Sequence, residues 1–260
     1  MKIGIVGNGF VGNAIYQNFK DKVVNKVYDV RIHRSFNTLE DTVKSDIVFV
    51  CLPTPMQNNG KCDLSYVTEF FRTVEKSDAL FVIKSTVPIG TTNFIIQRRN
   101  DLKVVHNPEF LTAVNAVEDF KNADRHIIGG RQDWCMILRD FYKEHFPNTP
   151  IQVVTSNESE TIKYFANSFL AAKISFFNNL YEICEKFEMN FDSVRQGVCT
   201  DDRIGFEHTK VPGPDGLMGF GGYCFPKDIN ALINTLKENN IDASLFEAAW
   251  NYNQKVRKDV

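Results

Sequence analysis

The chain has 260 residues, 43% of them hydrophobic and 24% charged, with a formal net charge of −2. Those values suit a globular protein large enough for one or two cores, and they argue against broad binding to nucleic acid or an anionic membrane. No apolar run approaches the ~20 residues of a membrane span.

The N-terminal "MKIGIVGNGF" reads as a strand leaving into a turn. It has neither the apolar core nor the cleavage site of a signal peptide. "GNGFVG" places Gly7, Gly9 and Gly12 in G-x-G-x-x-G order, with Phe10 and Val11 opening an amphipathic helix. After a strand, that pattern is a dinucleotide fingerprint. Gly7 allows the tight turn, Gly9 the approach of a pyrophosphate, and Gly12 close packing of helix on strand. The second strand, "KVYDV", carries Asp29, 17 residues after Gly12. A carboxylate there suits ribose hydroxyls, so NAD is expected; Arg31 and Arg34 keep a 2′-phosphate in play. The plain alternative for Asp29 is a turn residue.

"DIVFVCL", "ALFVIKS", "LKVVHN", "RHIIGG" and "IQVVTS" read as further buried strands. Helical stretches alternate with them: "LSYVTEFFRTVEK", "TTNFIIQRR" and "DWCMILRDFYKEHF". The alternation predicts a doubly wound parallel sheet over residues 1–156. "CLPTP", "KSTVPIG" and "NPEF" follow the third, fourth and fifth strands, so Thr54, Ser85, Thr86 and Glu109 fall at the carboxyl edge where ligands bind. "EFLTAVNAVEDF" looks helical, which makes a helix N-terminal acid the plain alternative for Glu109.

No Gly or Pro interrupts residues 158–187, where apolar residues recur at helical spacing at 162, 165, 166, 169, 170, 174, 177, 180 and 181. That predicts a helix of about 30 residues. Lys163 and Asn167 share one of its faces, flanked by the apolar positions. A desolvated Lys163 would donate strongly to an oxyanion; a solvated polar pair is the plain alternative. "FDSVRQGVC", "KDINALINTLKENN" and "ASLFEAAWNYNQKV" read as helices too, so residues 157–260 are expected to be an all-helical domain with one long central helix. Six scattered cysteines, Cys51, Cys62, Cys135, Cys184, Cys199 and Cys224, form no CxxC pair. No metal is expected, and a reducing cytoplasm fits. Cys224 lies in "GFGGYCFPKD", where three glycines surround a thiol before a helix. It is either small core filler or a nucleophile beside exposed amides.

Taken together, "GNGFVG", "CLPTP", "KSTVPIGTT", "NPEFLTAVNAVEDF", "DRHIIGG", "ETIKYFANSFLAAKISFFNNL", "RIG" and "GFGGYCFPKD" resemble the UDP-glucose/GDP-mannose dehydrogenase family, in family order and over nearly the whole chain. The resemblance implies a four-electron oxidation of a nucleotide-sugar C6 alcohol to the carboxylate, UDP-glucose foremost, with two hydrides passed to two NAD+. Cys224 matches the nucleophile that forms a thiohemiacetal and then a thioester. Lys163 and Asn167 match the oxyanion-stabilising pair. Asp228 matches an aspartate that assists water or the thiol, Glu109 a glutamate of thioester hydrolysis, and Thr86 a water-holding threonine. Thr54, Thr86 and Lys227 resemble cofactor contacts. Glu109, Phe110, Leu111, Lys163, Asn167, Gly221 and Cys224 resemble substrate contacts. Arg203 resembles an arginine that reaches a neighbouring subunit's sugar site, so a homodimer is implied. The resemblance implies no nucleic-acid or membrane partner.

Two departures stand out. The family's second glutamate, four residues after Glu109, is Ala113 here. Family members also continue beyond this point into a uridine-binding domain, so the chain is expected to be naturally short, truncated, or reliant on a partner. The long loop "HTKVPGPDG" is read as a partial substitute. Two other readings remain open: a two-electron hydroxyacid or sugar-alcohol dehydrogenase, and a catalytically silent nucleotide-binding subunit.

Overall fold

The computed structural model describes residues 1–112 and 114–259. Packing divides the chain into two units, Met1–Pro55 with Cys62–Lys163, and Met56–Lys61 with Tyr164 onward.

The first unit is built on a seven-stranded sheet. In chain order it runs β1 (Lys2–Val6), α1 (Phe10–Phe19), β2 (Val24–Tyr28), α2 (Leu39–Val43), β3 (Ile47–Val50), α3 (Ser65–Thr73), β4 (Leu80–Ile83), α4 (Thr91–Arg98), β5 (Lys103–His106), α5 (Ala116–Lys121), β6 (His126–Gly129), α6 (Gln132–His145) and β7 (Ile151–Val154). Strand order is β2-β1-β3-β4-β5-β6-β7. The strands are short, and their apolar runs are continuous because both faces are covered. Ile47, Phe49, Leu80 and Val82 join one core with α1 and α6. Val48, Val50, Phe81 and Ile83 join the other with α3 and α4.

Three differences from the sequence reading matter. The sheet is not wholly parallel: β6 meets β5 antiparallel at a single pair, His106 with Gly129, and β7 then follows β6 in parallel. Residues 39–43, unassigned from the sequence, form a short helix, capped by the Thr38 side chain accepting from the Asp41 N–H. And "EFLTAVNAVEDF" is helical only from Ala116. Pro108, the Leu111 N–H donating to the Glu109 carboxylate, and the Thr112 N–H and hydroxyl donating to Asp119 hold residues 108–112 in irregular backbone. Ala113 lies outside the described residues.

α7 (Ser156–Lys186) begins in the first unit and runs on into the second. Its start is a reciprocal cap: the Thr155 N–H and hydroxyl donate to the Glu158 carboxylate, and the Glu158 N–H to the Thr155 hydroxyl. α8 (Phe191–Cys199), α9 (Phe225–Glu238) and α10 (Ser244–Val256) follow, and the regular elements described in the second unit are all helices. α7 buries Lys163 and Asn167 as expected, and much of its buried face is polar or small: Glu160, Lys163, Asn167, Ser168, Ala171, Ser175 and Asn178, beside the aromatic Tyr164 and Phe177. Phe165, Phe169, Phe176, Ile183 and Phe187 are exposed. At helical rise those five span about 33 Å of one side.

Candidate active site

The glycine fingerprint forms as the spacing requires, and each glycine has a different reason. Gly7 sits at φ +90 with Cys51 O 2.5 Å from where a β-carbon would stand. At Gly12 a β-carbon would lie 2.0 Å from Gly7 O, so helix and turn touch there. At Gly9 nothing lies within 4 Å. The protein itself therefore has no steric use for that missing side chain. Gly9 is the N-cap of α1, which has no side-chain cap and no acid in its first turn. An uncapped helix end behind an open glycine is a cradle for a phosphate, so these residues fit a dinucleotide. Asp29 is fixed beside the turn: its carboxylate accepts from the Asn8 N–H at 2.7 Å and the Arg31 N–H at 2.8 Å. A cleft of about 530 Å³ opens next to it, between Tyr28 and Phe36. The Arg34 carbonyl accepts from the Asn8 side chain, placing Arg34 at the same turn.

At the carboxyl edge of the parallel strands, the Thr54 hydroxyl donates to the Thr86 carbonyl at 2.9 Å, and Ser85 donates to Leu52. These bonds tie the loop after β3 to the loop after β4. Glu109 is buried; it accepts from the Leu111 N–H at 2.6 Å and faces Lys163 Nζ at 3.2 Å. Lys163 Nζ also stands 5.2 Å from the Phe110 ring centroid. Thus Glu109, Phe110, Leu111 and Lys163 form one cluster. The helix-acid alternative for Glu109 falls away, because no helix begins there.

Sequence inspection passed over several members of this unit. Glu160, fully buried, accepts from the Gly90 N–H, the Thr92 N–H and the Thr92 hydroxyl, closing the N-terminus of α4 that α1 leaves open. Burial raises its pKa, against those hydrogen bonds. His106, fully buried, bonds Ser159 Oγ through Nδ1 and the Ser85 carbonyl through Nε2. Burial pulls its pKa down to about 3, so the ring is neutral. Lys84 is buried directly after β4 and donates to Asn107 Oδ1 at 2.7 Å. Burial lowers its pKa to about 8. The available signal was a lysine abutting a wholly apolar strand, with no room to reach water.

In the second unit, Cys224 is the N-cap of α9, with Pro226 and Asp228 in the first turn and no side chain capping the helix. Asp228, fully buried, accepts from Asn167 Nδ2 at 2.6 Å, and Lys227 Nζ forms an ion pair with its other oxygen. Asn167, Lys227 and Asp228 are therefore one buried array. The glycines before Cys224 serve packing more than expected. A β-carbon on Gly221 would lie 2.1 Å from the Arg257 guanidinium, and one on Gly219 would lie 2.3 Å from Asn253 Oδ1. Asn253 also exchanges two bonds with the Phe220 backbone, and Asn178 accepts from the Gly219 N–H. The space in front of Gly221 is thus filled by Arg257, directly after α10, where the sequence had suggested a sugar. Gly222, at φ +72 with nothing within 4 Å, is the open one. Arg203 stands apart on the surface, paired with Asp201. Among the described residues no group of three or more His, Cys, Asp or Glu is placed to hold a metal, and no helix is long and apolar enough to cross a membrane.

Residues 13–146 match the NAD binding domain of the UDP-glucose/GDP-mannose dehydrogenase family, and residues 157–255 match its central domain. The chain belongs to that family. NAD is accordingly its cofactor. The chain is 40% identical over 225 residues to a UDP-glucose 6-dehydrogenase of Rickettsia bellii, covering 83% of this chain and 51% of the relative. It is 35% identical over 268 residues to UDP-glucose 6-dehydrogenase TuaD of Bacillus subtilis, covering 98% and 56%. A solved UDP-glucose dehydrogenase from Pyrobaculum islandicum superposes with a TM-score of 0.87 at 29% identity, covering 98% of this chain and 68% of that one. The chain spans about half the length of the curated relatives it matches.

Proposed function

We propose that this chain carries the NAD-dependent, four-electron oxidation of a nucleotide-sugar C6 alcohol to the carboxylate, with UDP-glucose as the substrate. The observation that carries the reading is Cys224 at the uncapped N-terminus of a 14-residue helix. Main-chain N–H groups and the helix dipole favour a thiolate at such a place. Bound NAD+ supplies the hydride acceptor for each of two oxidations, one of alcohol to aldehyde and one of hemithioacetal to thioester.

The chain's own residues do the rest. The Cys224 sulfur adds to the aldehyde carbon, forming a C–S bond while the carbonyl oxygen becomes an oxyanion. Without that addition an aldehyde has no second hydride to release. Lys163 and Asn167, one turn apart on α7, donate to the negative oxygen. Water then cleaves the C–S bond, giving the acid and returning the thiolate. The Glu109 carboxylate takes the water's proton, Thr86 holds the water, and Asp228 steadies Asn167 and Lys227. Gly7, Gly9, Phe10, Val11, Gly12, Asp29, Arg34, Thr54, Thr86 and Lys227 hold the cofactor. Phe110 and Leu111 line the sugar. Residues 1–156 serve the cofactor, and residues 157–260 carry the nucleophile and the subunit contact.

A homodimer belongs to the same proposal. The exposed Phe165, Phe169, Phe176 and Ile183 on α7, with Phe187 just beyond its end, form an apolar stripe, and Arg203 is free of burial at the surface. Such stripes mark protein contacts. Light scattering should give twice the chain mass, and a monomer at all working concentrations would remove this part.

The deciding experiment counts NADH per sugar acid across a panel of UDP- and GDP-sugars. Two NADH per acid are expected, and Cys224→Ser should form no acid while keeping NAD affinity. One NADH per turnover with aldehyde released would return the activity to the two-electron class.

A further inference from the structure

The end of α10 grips the chain that leads to Cys224. Arg257, 5% exposed and directly after α10, forms ion pairs with Asp215 at 2.6 Å and Asp259 at 2.7 Å. Its Nη1 also donates to the Met218 carbonyl at 3.4 Å. A β-carbon on Gly221 would stand 2.1, 2.2 and 2.4 Å from Nη2, Cζ and Nε of Arg257, so the guanidinium rests against that glycine. Asn253, one helical turn earlier, accepts from the Phe220 N–H at 2.7 Å and donates to the Phe220 carbonyl at 2.9 Å. Asn178 on α7 accepts from the Gly219 N–H at 2.8 Å. Residues 218–221 are thus each held by a buried side chain. Beyond the thiol, α9 begins at Phe225 and is anchored by the buried Asp228, which accepts from Asn167 Nδ2 at 2.6 Å. Between the two anchors lie only residues 222–224, which form a turn.

A short segment between two fixed ends has few ways to close, and releasing one end multiplies them. The place of the thiol against the first N–H groups of α9 therefore depends on the grip at 218–221. We propose that Arg257 is a positioning residue, which by binding Asp215, the Met218 carbonyl and Gly221 together holds Cys224 where its sulfur meets the aldehyde. The inference rests on the nucleophile role of Cys224 in the proposed function. Arginine suits the task because its fork reaches two carboxylates and a carbonyl at once, which the point charge of a lysine does not. Asp215 lies in the loop "VPGPDG", where the Gly213 N–H donates to the Leu217 carbonyl at 2.9 Å and the Gly216 N–H to the Gly213 carbonyl at 2.9 Å. That folded loop thereby braces the nucleophile from the side opposite α9. The first hydride leaves the alcohol without help from the thiol, whereas the second needs the C–S bond. A displaced sulfur should thus spare the first oxidation and let aldehyde escape before the second.

The test uses Arg257→Lys, which keeps the buried charge and loses the fork. Iodoacetamide at pH 7, followed by mass spectrometry of the Cys224 peptide, should show alkylation slowed about fivefold or more, because the thiolate loses its amides. With UDP-glucose, NADH per acid should rise from two to about three or more, the excess matched by free aldehyde, while KM stays within about threefold. A merely structural role would lower activity with the ratio held at two. If Arg257→Lys does not fold, Asp215→Asn serves, since it removes one carboxylate charge at a half-exposed loop position; the same signs are expected at about threefold. A folded variant whose Cys224 is alkylated at the parental rate or faster overturns the proposal, as does one that keeps the ratio at two. Because alkylation needs no turnover, it judges Arg257 even if no nucleotide sugar is oxidised; parental inactivity across the panel would instead refute the proposed function.

Discussion

Acidification should destabilise the first unit well before its carboxylates titrate. His106 and His126 are 0% and 5% exposed, and burial lowers each from 6.5 to about 3. The His106 ring has one donor and one acceptor role to fill, toward the Ser85 carbonyl and Ser159 Oγ, which suits a neutral imidazole. His126 is stacked 4.2 Å from Tyr142, with no hydrogen-bond partner for Nε2 among the described residues. For such groups the unfolded chain binds the extra proton, so stability rises with pH between about 3 and 6.5 and is lost as pH falls through that window. A fall of about 3.5 in pKa is worth about 5 kcal/mol for each ring, an upper bound because water enters before full protonation. The slope is at most about 2.7 kcal/mol per pH unit for the two rings together. The raised Glu160 works in the opposite sense above about pH 4.5 and trims it. Urea denaturation from neutrality to about pH 5 measures the slope, and His126→Phe with His106→Asn should remove most of it. Stability that stays flat over that range in the parent, or a slope untouched in the double variant, would refute the reasoning.

Three further outcomes follow from single contacts. Gly9→Ala should weaken NAD binding about tenfold or more with little change in melting temperature, because the protein leaves that space empty; Gly12→Ala should instead lose about 2–4 kcal/mol of stability by clashing with Gly7 O. Titration calorimetry beside thermal melts separates the two. Gly221→Ala should cost about 2–4 kcal/mol by displacing the Arg257 guanidinium, and Arg257→Ala in the same chain should recover part of it, as urea midpoints would show. Glu160→Ala leaves two N–H groups and a hydroxyl without their acceptor at the start of α4, a loss of about 3 kcal/mol in chemical denaturation; a change below about 0.5 kcal/mol would show that water replaces the carboxylate.

The strands and most helices were legible because both signals are local. A four-residue apolar run such as "IVFV" between turn residues has few other uses, and the glycine order at 7, 9 and 12 fixes strand, turn and helix together. The antiparallel entry of β6 was not legible: its direction depends on the path of residues 107–125, and periodicity carries no sense of direction. The helix read across "EFLTAVNAVEDF" forms only from Ala116, for a related reason. Its composition favours helix, but Glu109 spends its carboxylate on the Leu111 N–H and Lys163, and Thr112 bonds Asp119, so tertiary partners outweigh propensity.

α7 shows most clearly why a site can be half visible. The 3.6-residue period was correct, and Lys163 and Asn167 are buried as expected, yet Phe165 and Phe169 from the apolar set are exposed. Tyr164 and Phe177 go inside in the ordinary way, while other inward positions are claimed by polar groups with specific partners: Glu160 by the start of α4, Lys163 by Glu109, and Asn167 by Asp228. Each polar group is tolerated in burial only because its partner is present. A pattern of hydrophobicity cannot report such pairings, since the partners lie from 54 to 68 residues away in sequence. Phe165, Phe169 and Phe176 are left on the outer face, and there they meet the ordinary cost of exposed apolar surface. The two readings of this helix are therefore linked: the same geometry that brings Lys163 and Asn167 inward leaves outside the stripe through which a second copy of the chain is proposed to pack.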